Sequence, residues 1–356
     1  MNAVTSAKPP MIDSGQARAQ SIASLRSRRF AGFIIALVLL AAAMCLSLMT
    51  GSKQLSIEVV WQALFHNADS YEHRVILDSR LPRTLLALAV GPAFGLAGAL
   101  MQALTRNPLA DPGILGVSAG AAFAVAMGVG VFAISTLSGY VGFALAGALA
   151  ATIIVYVIGG GAGKKPPTPI QLTLAGVALG AALSGITTAL TLMNSKAFSR
   201  MLNWTVGTLV RKSEGDLWLV LPLILVGALA AFAISQALNT IAFGEDRASS
   251  LGVNVQLIRG IGLIAIPLLA GSATALVGPI GFLGLMVPHC IRWFVGPSQP
   301  WIFLYSLAVA PLLLLIADIV GRIVISPGEV PVGIVMGFIG APILIVLVRR
   351  RSASKL

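Results

Sequence analysis

Three groups of residues in this chain have types and spacing that could do chemistry. The first is Gly159-Gly160-Gly161-Ala162-Gly163-Lys164-Lys165, whose glycines and lysines are the materials of a phosphate-cradling loop. The spacing fails. Ile158 stands five positions before Gly163, where such a loop needs glycine, and Lys165 stands where Ser or Thr would reach magnesium. The run also follows an apolar stretch rather than a strand, so it reads as a flexible basic loop, and the chain has no nucleotide site of its own. The second group is His289-Cys290. Neighbours on a helix face different ways, and a polar helix terminus accounts for His289 better than a metal does. The third is Asp318, the one acid of twelve that falls inside an apolar span. Ion-coupled carriers bury ionisable groups near the bilayer midplane, and their scarcity here argues for an energy source outside the chain. No carboxylate pair, serine–histidine set or histidine cluster is spaced for catalysis.

The elements that must position these residues are membrane helices. Of 356 residues, 57% are hydrophobic and 10% are charged, against about 25% charged in a soluble domain. The net charge of +12 would suggest nucleic acid in a soluble protein. Here the basic residues sit in short loops and tails between apolar runs, which is the pattern that orients membrane proteins, and no nucleic-acid partner is expected. Cys45 and Cys290 lie far apart in apolar segments and form neither a disulfide framework nor a metal spacing.

Ten apolar runs read as spans, the eighth of them short: about 30–49, 82–104, 116–134, 140–159, 170–193, 217–238, 260–277, 282–294, 302–319 and 331–348. Twenty residues at 1.5 Å each cross a hydrocarbon core of roughly 30 Å. The chain is therefore expected to be an all-α polytopic membrane protein. Residues 1–29 form a cytoplasmic tail without regular structure, 30–351 the membrane domain and 352–356 a cytoplasmic end. With both termini in the cytoplasm, fifteen of the twenty-four Lys and Arg fall inside, in keeping with the positive-inside rule.

Three connections carry further signals. Ile57, Val60, Trp61, Leu64 and Phe65 recur at helical spacing, predicting an amphipathic helix on the membrane surface. Asn107-Pro108 and Asp111-Pro112 form a rigid polar turn, because each proline pushes its predecessor away from helical geometry. Glu245 to Gly252 reads as a short helix with acids in its first turn and glycine after its end. On it Ala248, Leu251 and Val255 are spaced to make one apolar face, with Glu245, Asp246 and Arg247 around it. Gly91/Gly95, Gly176/Gly180 and Gly333/Gly337 are pairs of small residues at a spacing that lets helices approach closely.

The runs RLPR, GLAGALMQ and TRNPLADPGILGVSAGA, followed by GEDRASSLGV, GPIGFLGLMVPHCIR, ADIVGR and VPVGIVMGFIGAPILIVLVRR, resemble the permease family of bacterial ABC importers for ferric siderophores, haem and vitamin B12. The resemblance covers about residues 30–351, and within the family the chain looks most like the ferric-enterobactin permeases. It implies the type II ABC importer permease fold and a place in the bacterial inner membrane. It also implies a second permease subunit, identical or related, two cytoplasmic ATPase subunits that bind the ATP and magnesium, and an external substrate-binding protein. The permease itself would bind no cofactor and catalyse nothing. By the same resemblance Arg80, Arg83 and Arg322 match positions that receive acidic residues of the binding protein. Asn107, Pro108 and Leu109 match the cytoplasmic gate. Glu245, Asp246, Ala248, Leu251 and Gly252 match the coupling helix that docks on the ATPase. Vitamin B12 and haem stay open as cargo, and an ion-coupled secondary transporter is the competing class.

Overall fold

The structure, a computed structural model, describes residues 14–66, 70–134, 136–161, 167–210 and 214–349. All regular elements among the described residues are helical. In chain order they are α1 (Ser14–Met49), α2 (Ile57–Phe65), α3 (Tyr71–Val75), α4 (Leu81–Thr105), α5 (Val117–Gly130), α6 (Leu137–Tyr156), α7 (Pro169–Met193) and α8 (Ser195–Thr205). There follow α9 (Glu214–Ala242), α10 (Glu245–Ser250), α11 (Val255–Ile266), α12 (Ser272–Val277), α13 (Leu283–Val295), α14 (Gln299–Val324) and α15 (Val332–Arg349). Among the described residues, seven helical stretches are long and apolar enough to cross a membrane, and three shorter apolar helices, Val117–Gly130, Leu283–Val295 and Val332–Val346, complete the ten expected spans.

The elements differ from the sequence reading in three places. α1 begins at Ser14, so residues 14–29, expected as an irregular tail, are helical; residues 1–13 and 350–356 lie outside the described residues. α3 and the π-turn Ile76–Arg80 run directly into α4, giving one helical stretch from Tyr71 to Thr105 where a polar connection was expected up to Arg80. The polar segment 194–216 contains α8, whose Trp204 is buried. The glycine-rich loop reaches into residues 162–166, outside the described residues.

α4 is the centre of the bundle. Of the eighteen-residue apolar core of the stretch that contains it, 78% is buried, against 11% for that of α7. It packs on α1, α9, α11, α13 and α14, and the small residues on its surface allow the closest of these approaches. A Cβ on Gly91 would lie 2.6 Å from Pro311 Cα, and one on Gly95 would lie 2.8 Å from Ala310 Cβ, both on α14. A Cβ on Gly98 would lie 1.7 Å from the Gly284 carbonyl oxygen of α13. In lipid the tails are as apolar as the side chains, so close van der Waals contact of this kind is what selects one helix pairing over another. The other two small-residue pairs behave differently. Gly176 and Gly333 meet backbone oxygens inside the chain, while Gly180 has only Ala119 Cβ at 3.9 Å and Gly337 faces open space.

Helices α5 and α13 are about 20 Å long at 1.5 Å per residue, less than a hydrocarbon core. Irregular backbone at membrane depth is tolerated only when it is buried in protein or lines a cavity. The break after α12 satisfies this. Thr208 N–H donates to the Val277 carbonyl at 2.8 Å, and Gly333 N–H donates to the Gly207 carbonyl at 3.1 Å. The junction needs glycine at Gly278, where φ is +80° and a Cβ would sit 2.1 Å from the Trp204 carbonyl oxygen. On the outside, α1 and α7 carry exposed Ile34, Ile35, Val38, Leu174 and Val177, a surface matched to lipid.

The glycine contacts make a stability prediction. Gly98→Ala should lower the thermal midpoint of the detergent-purified protein by the equivalent of about 1–3 kcal/mol, the usual cost of overpacking. Gly142→Ala, with nothing within 4 Å of its new Cβ inside α6, should keep the midpoint or raise it by the equivalent of up to about 1 kcal/mol, the helix preference of Ala over Gly. Equal midpoints for the two variants would show that α13 yields freely to α4.

Candidate functional site

Where α1, α4 and α14 meet at one end of the bundle, the chain buries three arginines. Arg80 and Arg83 flank the start of α4, and Arg322 lies near the end of α14; all three are at most 7% exposed. Arg80 Nη1 donates to the Leu48 carbonyl at 2.8 Å and to the Met49 carbonyl at 2.7 Å. Its Nη2 donates to the Lys53 carbonyl. Arg322 Nη1 donates to the Ser47 carbonyl at 2.7 Å and the Thr50 carbonyl at 3.1 Å. The last carbonyls of a helix have no intrahelical partner and carry the negative end of its dipole, so these two arginines close the C-terminus of α1.

Asp318 joins the cluster together. One carboxylate oxygen accepts from Arg83 Nη2 at 2.7 Å and the other from Arg322 Nη2. Arg83 Nη1 reaches Glu329 in the α14–α15 connection, also at 2.7 Å. The Asp318 side chain is 3% exposed and that of Glu329 is 40% exposed. Ser47 Oγ and Thr84 Oγ1 share a hydrogen bond of 2.9 Å beside them. Three guanidinium groups thus face two carboxylates, leaving one positive charge in excess. The three arginines singled out in the sequence are indeed brought together, yet most of their donors are taken by the chain itself. The sequence reading did not find Glu329 or Ser47. It marked Asp318 as unusual, but nothing local in the sequence could name its partners.

At the other end of α4 the helix stops at Arg106, which has φ 48° and ψ 34°. Its backbone N–H bonds to the Ala103 and Gln102 carbonyls. The turn that follows is held by its own residues. Leu109 N–H donates to Asn107 Oδ1 at 3.1 Å, and Ala110 N–H donates to the Asn107 carbonyl at 3.1 Å. Asp111 caps the next short helix through Gly113 N–H at 2.7 Å. Burial raises the Asp111 carboxyl above its ordinary range, and the Gly113 hydrogen bond opposes that rise. Asn107, Pro108 and Leu109 are half-buried. α13 holds the last turn of α4, just before this loop: Gln102 Nε2 donates to the Leu285 carbonyl at 3.1 Å, and Gln102 Oε1 accepts from Arg292. A glutamine inside an apolar span was the available signal for this contact.

Helix α10 begins at Glu245, after Gly244 with φ 119°, and is followed by Gly252 with φ 83°. The left-handed turn expected at Gly252 is present. The apolar face expected from Ala248, Leu251 and Val255 is not continuous. Ala248 is fully buried with Ile241 and Val255, whereas Leu251 is 74% exposed. The reason is that α10 ends at Ser250, so helical spacing does not extend across Leu251 and Gly252. Asp246 and Arg247 are exposed as expected. Glu245 is not a free charge: it accepts from Arg259 Nη2 at 2.6 Å and lies 3.6 Å from Arg106 Nη2.

Residues 39–350 match the FecCD transport family. The ferric enterobactin transport system permease protein FepD of Escherichia coli (strain K12) is 46% identical, over 93% of this chain and 98% of that protein. The Fe(3+)-citrate import system permease protein YfmD of Bacillus subtilis (strain 168) is 37% identical, over 91% of this chain and 96% of its own. A solved structure described as an inward-facing conformation of a metal-chelate type ABC transporter superposes with a TM-score of 0.78. It is 26% identical, and the match covers 92% of this chain and 99% of that one. With the matches running nearly end to end, the chain belongs to the FecCD transport family.

Proposed function

We propose that this chain is the membrane-spanning permease of an ATP-driven importer that carries a ferric siderophore across the bacterial inner membrane by alternating access. The observation that carries this reading is the 46% identity with a ferric enterobactin permease over almost the whole of both chains. A catecholate cargo is favoured over citrate because the citrate relative is 37% identical over a similar span. The partners would be a second permease, two ATPase subunits and a substrate-binding protein outside. Both termini would lie in the cytoplasm, which puts the arginine cluster at the outer end and α10 with the Asn107–Leu109 turn at the inner end. In that arrangement the half-buried turn would serve as the inner gate.

Reconstitution tests the whole reading. The chain, co-expressed with the subunits encoded beside it, is placed in proteoliposomes with its binding protein and given labelled ferric enterobactin, ferric citrate, haem or vitamin B12. Uptake of ferric enterobactin that follows ATP hydrolysis and survives ionophores supports it. Uptake that collapses with the ion gradient would overturn the ATP-driven reading, and a preference for haem or vitamin B12 would overturn the siderophore reading.

Docking of the binding protein on the arginines requires a carboxylate from outside to reach donors that are now occupied. Glu329 is the exposed member of the cluster, and it stands where an incoming carboxylate would pair with Arg83. Arg83→Glu should weaken binding-protein affinity by about tenfold or more, as expected for a lost, desolvated charge pair. Glu329→Gln, which leaves Asp318 paired, should tighten binding by about twofold to fivefold, the range of an exposed pair. Weaker binding with Glu329→Gln would mean that Glu329, not Arg83, faces the partner.

Docking of the ATPase is expected on the exposed side of α10, formed by Asp246, Leu251 and Gly252, with Ala248 holding the segment from beneath. Leu251→Glu should cut the ATPase that co-purifies with the chain by about fivefold or more, the effect of removing a central apolar anchor. Unchanged co-purification would move the docking surface elsewhere.

A further inference from the structure

The ion pairs at the inner end connect α10 to the end of α4, beyond the α9 and α11 contacts that dominate its packing. The apolar contacts of α10 go to α9 and α11, its neighbours in the chain, through Ala248 against Ile241, Val255 and Ile258. The charged contact goes further. Glu245 lies between Arg259 of α11 and Arg106, the residue that ends α4 and immediately precedes Asn107.

The two arms differ. Arg259 is the shorter at 2.6 Å and is 22% exposed, so it anchors the carboxylate to α11. Arg106 lies at 3.6 Å and is 49% exposed, which makes it the arm that can part and re-form. The backbone on either side of Arg106 is held. Its own N–H bonds the last turn of α4, Asn107 N–H bonds the Gln102 carbonyl at 3.2 Å, and Asn107 Oδ1 accepts from Leu109 N–H. A force on the Arg106 guanidinium is therefore applied close to a turn that moves as one piece.

We propose that Glu245 is a positioning residue that sets the Asn107–Leu109 turn relative to α10, through Arg106, rather than a contact for the ATPase. The proposal rests on the reading of the chain as an ATP-driven permease, and it says how displacement of α10 would reach the gate. Arg259 keeps the carboxylate with α11 while the pair with Arg106 opens or closes.

The test uses two readouts. In the first, the isolated chain carries Leu109→Cys in a Cys45→Ser, Cys290→Ser background, and the rate of labelling by a polar maleimide reports the position of the turn. Glu245→Gln and Arg106→Gln should each change that rate by about twofold to fivefold, the range an exposed pair can carry. The double variant should change it no further, because the two residues act through one link. In the second readout, the assembled transporter with Glu245→Gln should keep its ATPase subunits while uptake per ATP hydrolysed falls by a similar factor. Unchanged labelling in both single variants, or a double variant equal to the product of the singles, overturns the proposal. Loss of the ATPase with Glu245→Gln also overturns it, since Glu245 would then be a direct contact. If uptake by the parent transporter does not follow ATP hydrolysis, the importer reading fails, and the labelling result still decides whether Glu245 positions the turn.

Discussion

The Asp318 carboxylate, shared between Arg83 and Arg322, is the interaction on which the packing of this chain depends. Removing a charge from water costs several kcal/mol per ion even after relaxation. That cost is offset only when each buried group is paired and hydrogen-bonded. Asp318 meets the condition with an arginine on each oxygen, and Arg322 and Arg80 come close to it by also bonding the free carbonyls at the end of α1, while Nε of Arg83 and of Arg322 is buried without a partner. None of these groups can leave the junction alone without stranding another. The junction therefore fixes α1, α4 and α14 to one another at one end of the bundle. It also holds the α14–α15 connection through Glu329.

From that fixed end, α4 extends the length of the membrane with glycines against α13 and α14, and it delivers Arg106 and the Asn107–Leu109 turn to the opposite end. The two ends differ in kind. Near Asp318 the charges are buried and densely bonded, which suits a joint. Near Glu245 they are partly exposed, so water competes for them and each pair is weak. In the proposed transport cycle, contacts of the second kind would suit the end where motion enters, and those of the first kind the end where helices stay together.

The clustered arginines have a structural role within the subunit itself. Asp318 and Glu329 balance two of the three guanidinium charges within the subunit, and Glu329 is the more exposed of the two carboxylates. Both Arg83 Nη atoms are thus occupied within the subunit. In the proposed docking, a partner carboxylate would have to displace Glu329 with better geometry or more charge, which would favour one partner over others.

Much of the architecture could be read from the sequence alone. The ten apolar runs, the short helix at α10, the left-handed turn at Gly252 and the polar break at Asn107–Asp111 all follow from local rules: hydrophobic length, helical period and the backbone limits of glycine and proline. Those rules act over a few residues, which is why they survive without tertiary information. Partnership does not. Arg83 meets Asp318 across 235 positions and Glu329 across 246, and no local pattern encodes such a pairing. The same limit explains Ala248 and Leu251, which share a face only if the helix continues. Burial of Ala248 is set by packing on α9 and α11, while the glycine at Gly252 turns the chain and leaves Leu251 exposed. The sequence by itself determined that the chain is a bundle of membrane helices and where its turns lie. Tertiary structure decided which charges are spent inside and which face outward, because that depends on helices meeting in space.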